Sequence, residues 1–147
     1  MVALVDDEDF VELNEFKWYA LKMRNNYYAV RSEYTFPRKT ILMHRVILKA
    51  DPTRQVDHKD HNGLNNQREN IRLCSSAQNQ MNQRRQNNTS SQFKGVYWCK
   101  FSKKWAGQVR YQGKHIFLGR FGNEKTAAYA YDKKAKELFG EFAQSNF

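Results

Sequence analysis

The stretch 84–92, Arg-Arg-Gln-Asn-Asn-Thr-Ser-Ser-Gln, divides the chain and so limits what it can fold into. It has no apolar residue and no periodicity, which is typical of a linker between folded segments. Because the whole chain has 147 residues, each flanking part is small, and small domains often depend on partners or metals. We therefore predict two small modules, with residues 87–92 as the linker and residues 93–147 as the second module.

Positive charge is concentrated after this linker. Of a formal net charge of +10, residues 93–147 hold eleven Lys/Arg and four Asp/Glu, a net of +7. From Phe93 to Gly122 there are seven basic residues and no acidic one. A localised positive field attracts polyanions, above all nucleic acid. A basic surface that serves only solubility is the simpler alternative.

Cysteine usage and hydropathy narrow the setting. Cys74 and Cys99 are the only cysteines, too few for a disulfide framework or a four-cysteine zinc site. No apolar run approaches the roughly 20 residues that span a membrane, and the first seven residues lack the basic start of a secretory signal. We expect a protein of a reducing, intracellular setting, with no membrane partner and no structural zinc.

Residues 1–50 have the pattern of short strands. Phe16, Trp18 and Ala20 alternate with more polar neighbours, and residues 26–31 are aromatic and β-branched after an Asn-Asn turn. Residues 40–43 fit either another strand or the entry to a short helix that runs through Lys49. No catalytic signature occurs here, so we predict a β-rich region that supports the site.

Residues 51–86 carry the side chains with chemistry. Asp57 and His58 stand side by side at the end of a predicted short strand, and a turn-rich loop containing Gly63 follows. A second short strand at 71–73 leads to a helix with Asn79 in its first turn, where Ser75 or Ser76 is suited to cap it. Strand, loop, strand and helix form a ββα unit around a small cleft.

Phosphodiester hydrolysis fits the residue types in this cleft. The reaction needs a base to activate water, a divalent cation to neutralise phosphate charge, and a group that holds the base in its working orientation. An Asp carboxylate and an Asn carbonyl are hard oxygen ligands that suit Mg²⁺ or Mn²⁺. The competing interpretation is a polar loop with an incidental histidine.

Together, Asp57-His58, Asn70 and Asn79 resemble, in type and spacing, the motif of HNH endonucleases, especially the phage and intron-associated homing group. The resemblance implies that His58 is the general base and that Asp57 and Asn79 bind the metal. It also implies that Asn70 braces the loop that orients His58.

Two further histidines lie near this motif. His44-Arg45 resembles the lead-in of the same group, and we interpret His44 as structural or close to phosphate. His61 falls in the loop and has no clear counterpart in the motif, and two alternatives stay open for it: contact with DNA or no role.

From Phe93 onward the pattern changes to three short strands and a helix. The strands are predicted at 95–99, 105–110 and 115–118, with hairpin turns at 102–104 and 112–114. Asn123 is suited to cap the helix, Glu124 to its positive N-terminal end, and Gly140 to the residue just past its C-terminus.

This second module resembles the AP2 domain over nearly its whole length. The matching segments are 94–98, 104–105, 113–114, 117–121, 126–132 and 142–147. The resemblance implies a three-stranded antiparallel sheet packed on one helix, with the sheet lying in the major groove of DNA.

Strand alternation assigns the two faces of this sheet. The residues predicted to face the helix are Val96, Trp98, Val109, Ile116 and Leu118. The predicted opposite, DNA-facing set is Tyr97, Cys99, Gln108, Arg110, His115 and Phe117. The DNA-binding residues we select are Lys94, Tyr97, Lys104, Gln108, Arg110, His115, Phe117 and Arg120. Arg110 suits guanine or phosphate, and Gln108 suits adenine.

The sequence therefore predicts an α+β protein, a ββα-metal HNH nuclease module plus an AP2-like module, that cuts double-stranded DNA. The resemblance places it in the cytoplasm of a bacterial or phage-infected cell. The chief alternative is a non-enzymatic DNA-binding regulator that keeps a relic HNH unit. A third possibility is an RNA-binding or structural protein.

Overall fold

The computed structural model describes residues 1–85 and 89–147. The chain separates into two compact units, Met1–Asn79 and Gln80–Phe147. The described residues contain both helices and strands, and the strands form antiparallel sheets of three, two and three strands. The fold class is therefore α+β, as predicted. Residues 87 and 88 of the predicted linker lie outside the described part of the chain.

The first unit combines a three-stranded sheet, a two-stranded sheet and short helices. In chain order its elements are α1 (Asp7–Asn14), β1 (Tyr19–Met23), β2 (Asn26–Glu33), β3 (Lys39–Leu42), α2 (Met43–Ile47), β4 (Gln55–His58) and β5 (Ile71–Cys74). A further helix, α3 (Ser76–Met81), crosses the boundary between the units. Strand β2 is the middle strand of β1-β2-β3, and β4 pairs with β5.

The N-terminal region departs from the prediction in two places, since β1 begins only at Tyr19 and not at Phe16, and helix α1 was not expected. Helix α1 was not predicted, because Phe10 and Val11 are exposed and only Leu13 among its apolar residues is buried, so no apolar stripe marks it. The strand predicted at 26–31 is confirmed and extends to Glu33. Both alternatives for residues 40–43 occur in succession, since β3 leads directly into α2.

One core joins the β layer to the ββα unit. Its buried members come from α1, β2, α2 and β5, and they are Leu13, Ala29, Met43, Ile47 and Ile71. The N-terminal segment also holds the loop between β4 and β5, because Leu4 donates to the Leu64 carbonyl and accepts from the Asn66 amide. The first 50 residues therefore fix the position of β4, β5 and their loop.

The second unit is a sheet covered on one face by a helix. Its elements are β6 (Val96–Cys99), β7 (Lys104–Tyr111), β8 (Lys114–Phe121), α4 (Glu124–Phe139) and a 3₁₀ turn at Gly140–Phe142. The three strands are antiparallel in the order β6-β7-β8. Asn123 caps α4 as predicted, with its side-chain oxygen accepting from the Lys125 amide.

A β-bulge between β7 and β8 resets the alternation of the sheet. The register shifts at Gly107/Gln108, so Gly107 pairs with Gly119 while Gln108 pairs with Phe117. Beyond the bulge, Phe121 packs into the core and Arg120 stays exposed. This places Arg120 on the same face as Phe117.

Trp98 is less buried than its predicted position on the helix-facing side of the sheet implies. We predicted that it faces the helix, where covering by α4 would bury it, but Trp98 is 38% exposed. It lies on the edge strand β6 and meets Trp105 edge-on at 5.1 Å between ring centroids. An edge strand has a neighbour on one side only, so a large ring there is covered only in part.

The C-terminal residues lock onto the start of the second unit. The Asn146 side chain accepts from the Lys94 amide and donates to the Lys94 carbonyl. The Asp132 carboxylate in α4 accepts from the Asn146 and Phe147 amides. These bonds explain why residues 142–147 belong to the module.

Within residues 1–85 and 89–147, every helix is too short or too polar to cross a membrane.

We predict that Gly95→Ala destabilises the second unit much more than Gly113→Ala does. Both glycines have positive φ, but a Cβ at Gly95 would lie 2.0 Å from the Tyr131 ring, whereas nothing lies within 4 Å of one at Gly113. Strain alone costs about 1–2 kcal/mol, and overpacking at Gly95 adds about 1–3 kcal/mol. Denaturant unfolding of the two variants measures the difference, and equal losses would contradict this packing.

Candidate active site and nucleic-acid interface

His58, the last residue of β4, is buried in a polar and aromatic cage. It is 6% exposed. Its ring lies 5.0 Å from that of His44 and 5.9 Å from that of Tyr28, and Nε2 lies 3.4 Å from the Asn66 side-chain oxygen. Burial lowers the pKa of His58 below its usual value, although the Asn66 contact acts in the opposite direction. The imidazole is therefore neutral near pH 7 and able to accept a proton.

His44 forms one wall of this cage. It lies in α2, and burial, with smaller contributions from His58 and Arg45, lowers the pKa of His44 to about 3. Its Nδ1 is buried and makes no hydrogen bond within the described residues. A neutral ring beside His58 adds no repulsion when His58 takes up a proton.

Gly63 lets the loop pack closely against β2. A Cβ at Gly63 would lie 2.6 Å from the Tyr28 ring and 2.5 Å from the Tyr27 carbonyl oxygen. Any side chain there would displace Tyr28, which contacts both His44 and His58. The glycine in this loop is thus tied to the position of the candidate base.

Asn70 joins the two ends of the loop that follows His58. Its side-chain nitrogen donates to the Asp60 carboxylate at 2.9 Å and to the Asn65 carbonyl at 2.7 Å. Its side-chain oxygen accepts from the Asp60 amide at 3.0 Å. This geometry suits the bracing role that the motif implies. In the same loop, His61 adopts a left-handed conformation, and its carbonyl accepts from the Asn26 side chain.

Asp57 is buried beside an arginine that the sequence reasoning missed. Asp57 pairs with Arg72 across β4 and β5, and its Oδ2 accepts from Arg72 Nε at 2.9 Å and from Nη2 at 2.8 Å. The two side chains are only 6% and 11% exposed. A buried carboxylate without a compensating charge is strongly disfavoured. The Arg72 guanidinium supplies that charge and so stabilises the buried Asp57 side chain.

Asn79 is held on the same side of β4 as Asp57. Its side-chain nitrogen donates to the Gln55 side-chain oxygen at 2.8 Å. Gln55 precedes Asp57 by two residues, and such residues share a strand face. Helix α3 begins with reciprocal bonds between Ser75 and Gln78, so Ser75, of the two expected serines, makes the cap.

Seven of the eight predicted DNA-binding residues lie on the sheet face opposite α4. They are Tyr97, Lys104, Gln108, Arg110, His115, Phe117 and Arg120. Arg110 pairs with His115 in the register, and the Arg120 guanidinium lies 5.4 Å from the Phe117 ring centroid. Lys104 is exposed at the start of β7. The face therefore combines positive charge with amide and aromatic groups.

Lys94 is engaged elsewhere. Its ammonium donates to the Met81 carbonyl at 2.7 Å and to the Gln83 carbonyl at 2.6 Å. Burial lowers the pKa of Lys94 to about 8. We therefore assign Lys94 to the internal structure of the second unit rather than to the sheet face.

Known proteins resemble this chain over most of its length. It is 33% identical to the uncharacterised HNH endonuclease L560 of Acanthamoeba polyphaga mimivirus, over 98% of this chain and 74% of that protein. The chain belongs to the HNH endonuclease family. This HNH chain is also 36% identical to protein 3.8 of Escherichia phage T7, over 60% of this chain and 73% of that protein.

The Arabidopsis thaliana AP2-like ethylene-responsive transcription factor TOE2 is 36% identical over 40% of the HNH chain and 12% of that protein. No protein-family model matches the sequence, and no solved structure matches it.

The donor set fits an oxygen-preferring cation better than a thiophilic one. Among residues 1–85 and 89–147, no group of three or more His, Cys, Asp or Glu side chains is placed to hold a metal. Asp57 and Asn79 offer one carboxylate and one amide oxygen on the same side of β4. Mg²⁺ is commonly bound by one or two such protein ligands, with water and substrate phosphate completing the shell.

We predict that Arg72→Ala lowers the free energy of unfolding by about 3 kcal/mol or more, because it leaves the buried Asp57 carboxylate without its partner. A metal that binds Asp57 would restore part of this loss by mass action. Thermal unfolding with and without Mg²⁺ is the measurement. The control is Arg72→Ala combined with Asp57→Asn, which should not respond to Mg²⁺. An equal response of both variants would exclude Asp57 as a metal ligand.

Proposed function

We propose that this chain is a divalent-metal-dependent endonuclease that hydrolyses phosphodiester bonds in duplex DNA. Its general base is His58, and Asn70 is the positioning residue that braces the loop after His58. The observation that carries the proposal is the caged, neutral imidazole of His58, set in a ββα unit that also presents Asp57 and Asn79. Two relatives come from a mimivirus and a phage, which supports the proposal that this chain acts inside an infected host cell.

The contact with Asn66 suggests which nitrogen of His58 takes the proton. The Asn66 side-chain nitrogen donates to the Leu64 carbonyl and contacts Met43 sulfur, which leaves its oxygen facing His58 Nε2. An oxygen acceptor favours a proton on Nε2 of the neutral ring. Nδ1 is then the basic atom, and it is the atom we assign to deprotonating the attacking water.

Asp57 and Asn79 are the residues that would hold Mg²⁺ or Mn²⁺. The bound ion would neutralise charge on the scissile phosphate and on the leaving 3′ oxygen. The carboxylate of Asp57 supplies the negative charge of the site, and Asn79 adds a neutral oxygen. If a cation took part of the Asp57 carboxylate, the Arg72 guanidinium could also pair with a phosphate oxygen.

We assign the sheet face of the second unit to holding the duplex. Residues 93–147 carry a net charge of +7, and the likeness to the plant AP2-like protein covers 40% of the chain. A binding module tethered to a small catalytic cleft raises the local concentration of DNA at that cleft. Site choice would then depend mainly on Gln108, Arg110 and their neighbours.

A DNA-binding regulator without nuclease activity is the second candidate. The specific observation in its favour is the Asp57–Arg72 ion pair, which already satisfies the carboxylate that a metal needs. Metal-dependent nicking of plasmid DNA by the intact chain separates the two candidates, because a regulator would bind DNA and leave it uncut.

We predict that His58→Ala lowers the cleavage rate by about 10²-fold or more, on the scale of losing a general base. DNA affinity should change little, because a neutral imidazole contributes little Coulomb attraction. Single-turnover cleavage and fluorescence anisotropy measure the two quantities on one DNA fragment. Equal losses of binding and cleavage would assign His58 a structural role.

We predict that Arg110→Ala weakens DNA binding by about 1–3 kcal/mol and does so to a degree that depends on DNA sequence, as expected of a base contact. The matched control is Lys133→Ala, which removes one positive charge from the exposed surface of α4. Anisotropy titrations of both variants against several duplexes provide the comparison. If both variants lose affinity equally on every duplex, the sheet does not read bases through Arg110.

A further inference from the structure

The loop that joins β2 to β3 presents two aromatic side chains to solvent. Tyr34 is 94% exposed, and Phe36 is fully exposed. Neither ring is part of the core of the first unit, and neither is among the partly buried residues packed against that core. Two large rings two residues apart in the chain, both exposed to water and outside the core, are candidates for contact with a partner.

The charge around this loop identifies the partner as an anion. The loop and the first residue of β3 hold Arg38 and Lys39 and no Asp/Glu, and Glu33 just before the loop is paired with Arg31. The Arg38 guanidinium lies over the Tyr34 ring, 5.3 Å from its centroid. By contrast, residues 6–15 hold six Asp/Glu and no Lys/Arg. Aromatic rings combined with positive charge are the surface that stacks on nucleic-acid bases and tracks phosphates.

The hairpin connects this loop directly to the candidate active site. At its base, Tyr28 in β2 lies 5.9 Å from the His58 ring, and β3 runs into α2, which carries His44. From Tyr28 to the end of β2 at Glu33 there are five residue steps, so the strand spans about 17 Å at roughly 3.4 Å per residue. For a duplex that runs from His58 along β2, this length corresponds to about five base-pair steps.

We propose that Phe36, supported by Tyr34 and Arg38, is a wedge that stacks against a base step of duplex DNA about five base pairs from the cut. This inference rests on the proposed function, since it requires a duplex at His58. Apolar side chains inserted between base steps unstack them and bend the duplex, which allows more protein surface to reach the DNA. The wedge gives the first unit its own grip on DNA, separate from the sheet face.

The test begins with the position of the cut, mapped with the intact wild-type protein on plasmid DNA. A duplex of that sequence then carries 2-aminopurine at single positions on either side of the cut. The intact chain with His58→Ala binds this duplex without cutting it. Phe36→Ala and Phe10→Ala are compared in that background by 2-aminopurine fluorescence and by anisotropy.

Phe10→Ala is the matched control because Phe10 is also an exposed phenylalanine of the first unit, 54% exposed, but lies in the acidic segment. We expect fluorescence to rise at one position about four to eight base pairs from the cut. Phe36→Ala should abolish that rise and weaken binding about five-fold or more, on the scale of one lost base–aromatic stack. Phe10→Ala should change neither quantity.

Equal behaviour of Phe36→Ala and Phe10→Ala, with wild-type cutting intact, would overturn the wedge. Thermal midpoints of the two variants should match, because both side chains are exposed, so misfolding does not explain a difference. If the wild-type protein does not cut duplex DNA at all, the proposed function fails, and that result appears before any variant is compared.

Discussion

The removal of the His58 imidazole from water is the constraint that links the parts of the first unit to the candidate site. Its cage is built from distant parts of the chain: Tyr28 from β2, His44 from α2 and Asn66 from the loop. The core that joins β2, α2 and β5 holds these parts together. The β-rich N-terminal region is thus part of the site, because without it His58 would be solvated and its pKa would return toward its usual value.

The motif residues could be predicted from the sequence because they lie close together in the chain. The residues that contact them from other parts of the fold could not. Asp57, His58, Asn70 and Asn79 follow a short local pattern, and the strands and helix that carry them form as the pattern indicated. Arg72 was missed because its pairing with Asp57 depends on the register of β4 and β5. Tyr28 gave no signal, since it lies 30 positions before His58 in the chain.

In the second unit, period-two alternation predicted the faces correctly wherever the strand was regular and covered. Val96 and Val109 are buried, while Arg110, His115 and Phe117 are exposed. Trp98 pairs with Trp105, which packs against the core, but Trp98 is itself 38% exposed. Alternation could not predict this exposure, because it does not reveal which strand is at the edge. Lys94 was taken for a DNA contact, but its ammonium is bonded to backbone carbonyls near the end of α3. Helix α1 was missed because Leu13 is its only buried apolar residue, so no apolar stripe marks it, although the acidic residues of its first turn are typical of a helix start.

Metal-dependent cutting of DNA by the unaltered chain tests the central claim most directly. Supercoiled plasmid is incubated with the protein in Mg²⁺, in Mn²⁺ or in EDTA, and the nicked and linear products are separated on a gel. We predict nicked or linear DNA with either metal and intact supercoiled DNA in EDTA. Plasmid that is bound by the protein but stays supercoiled with both metals would contradict the assignment of His58, Asp57 and Asn79 to a working nuclease site.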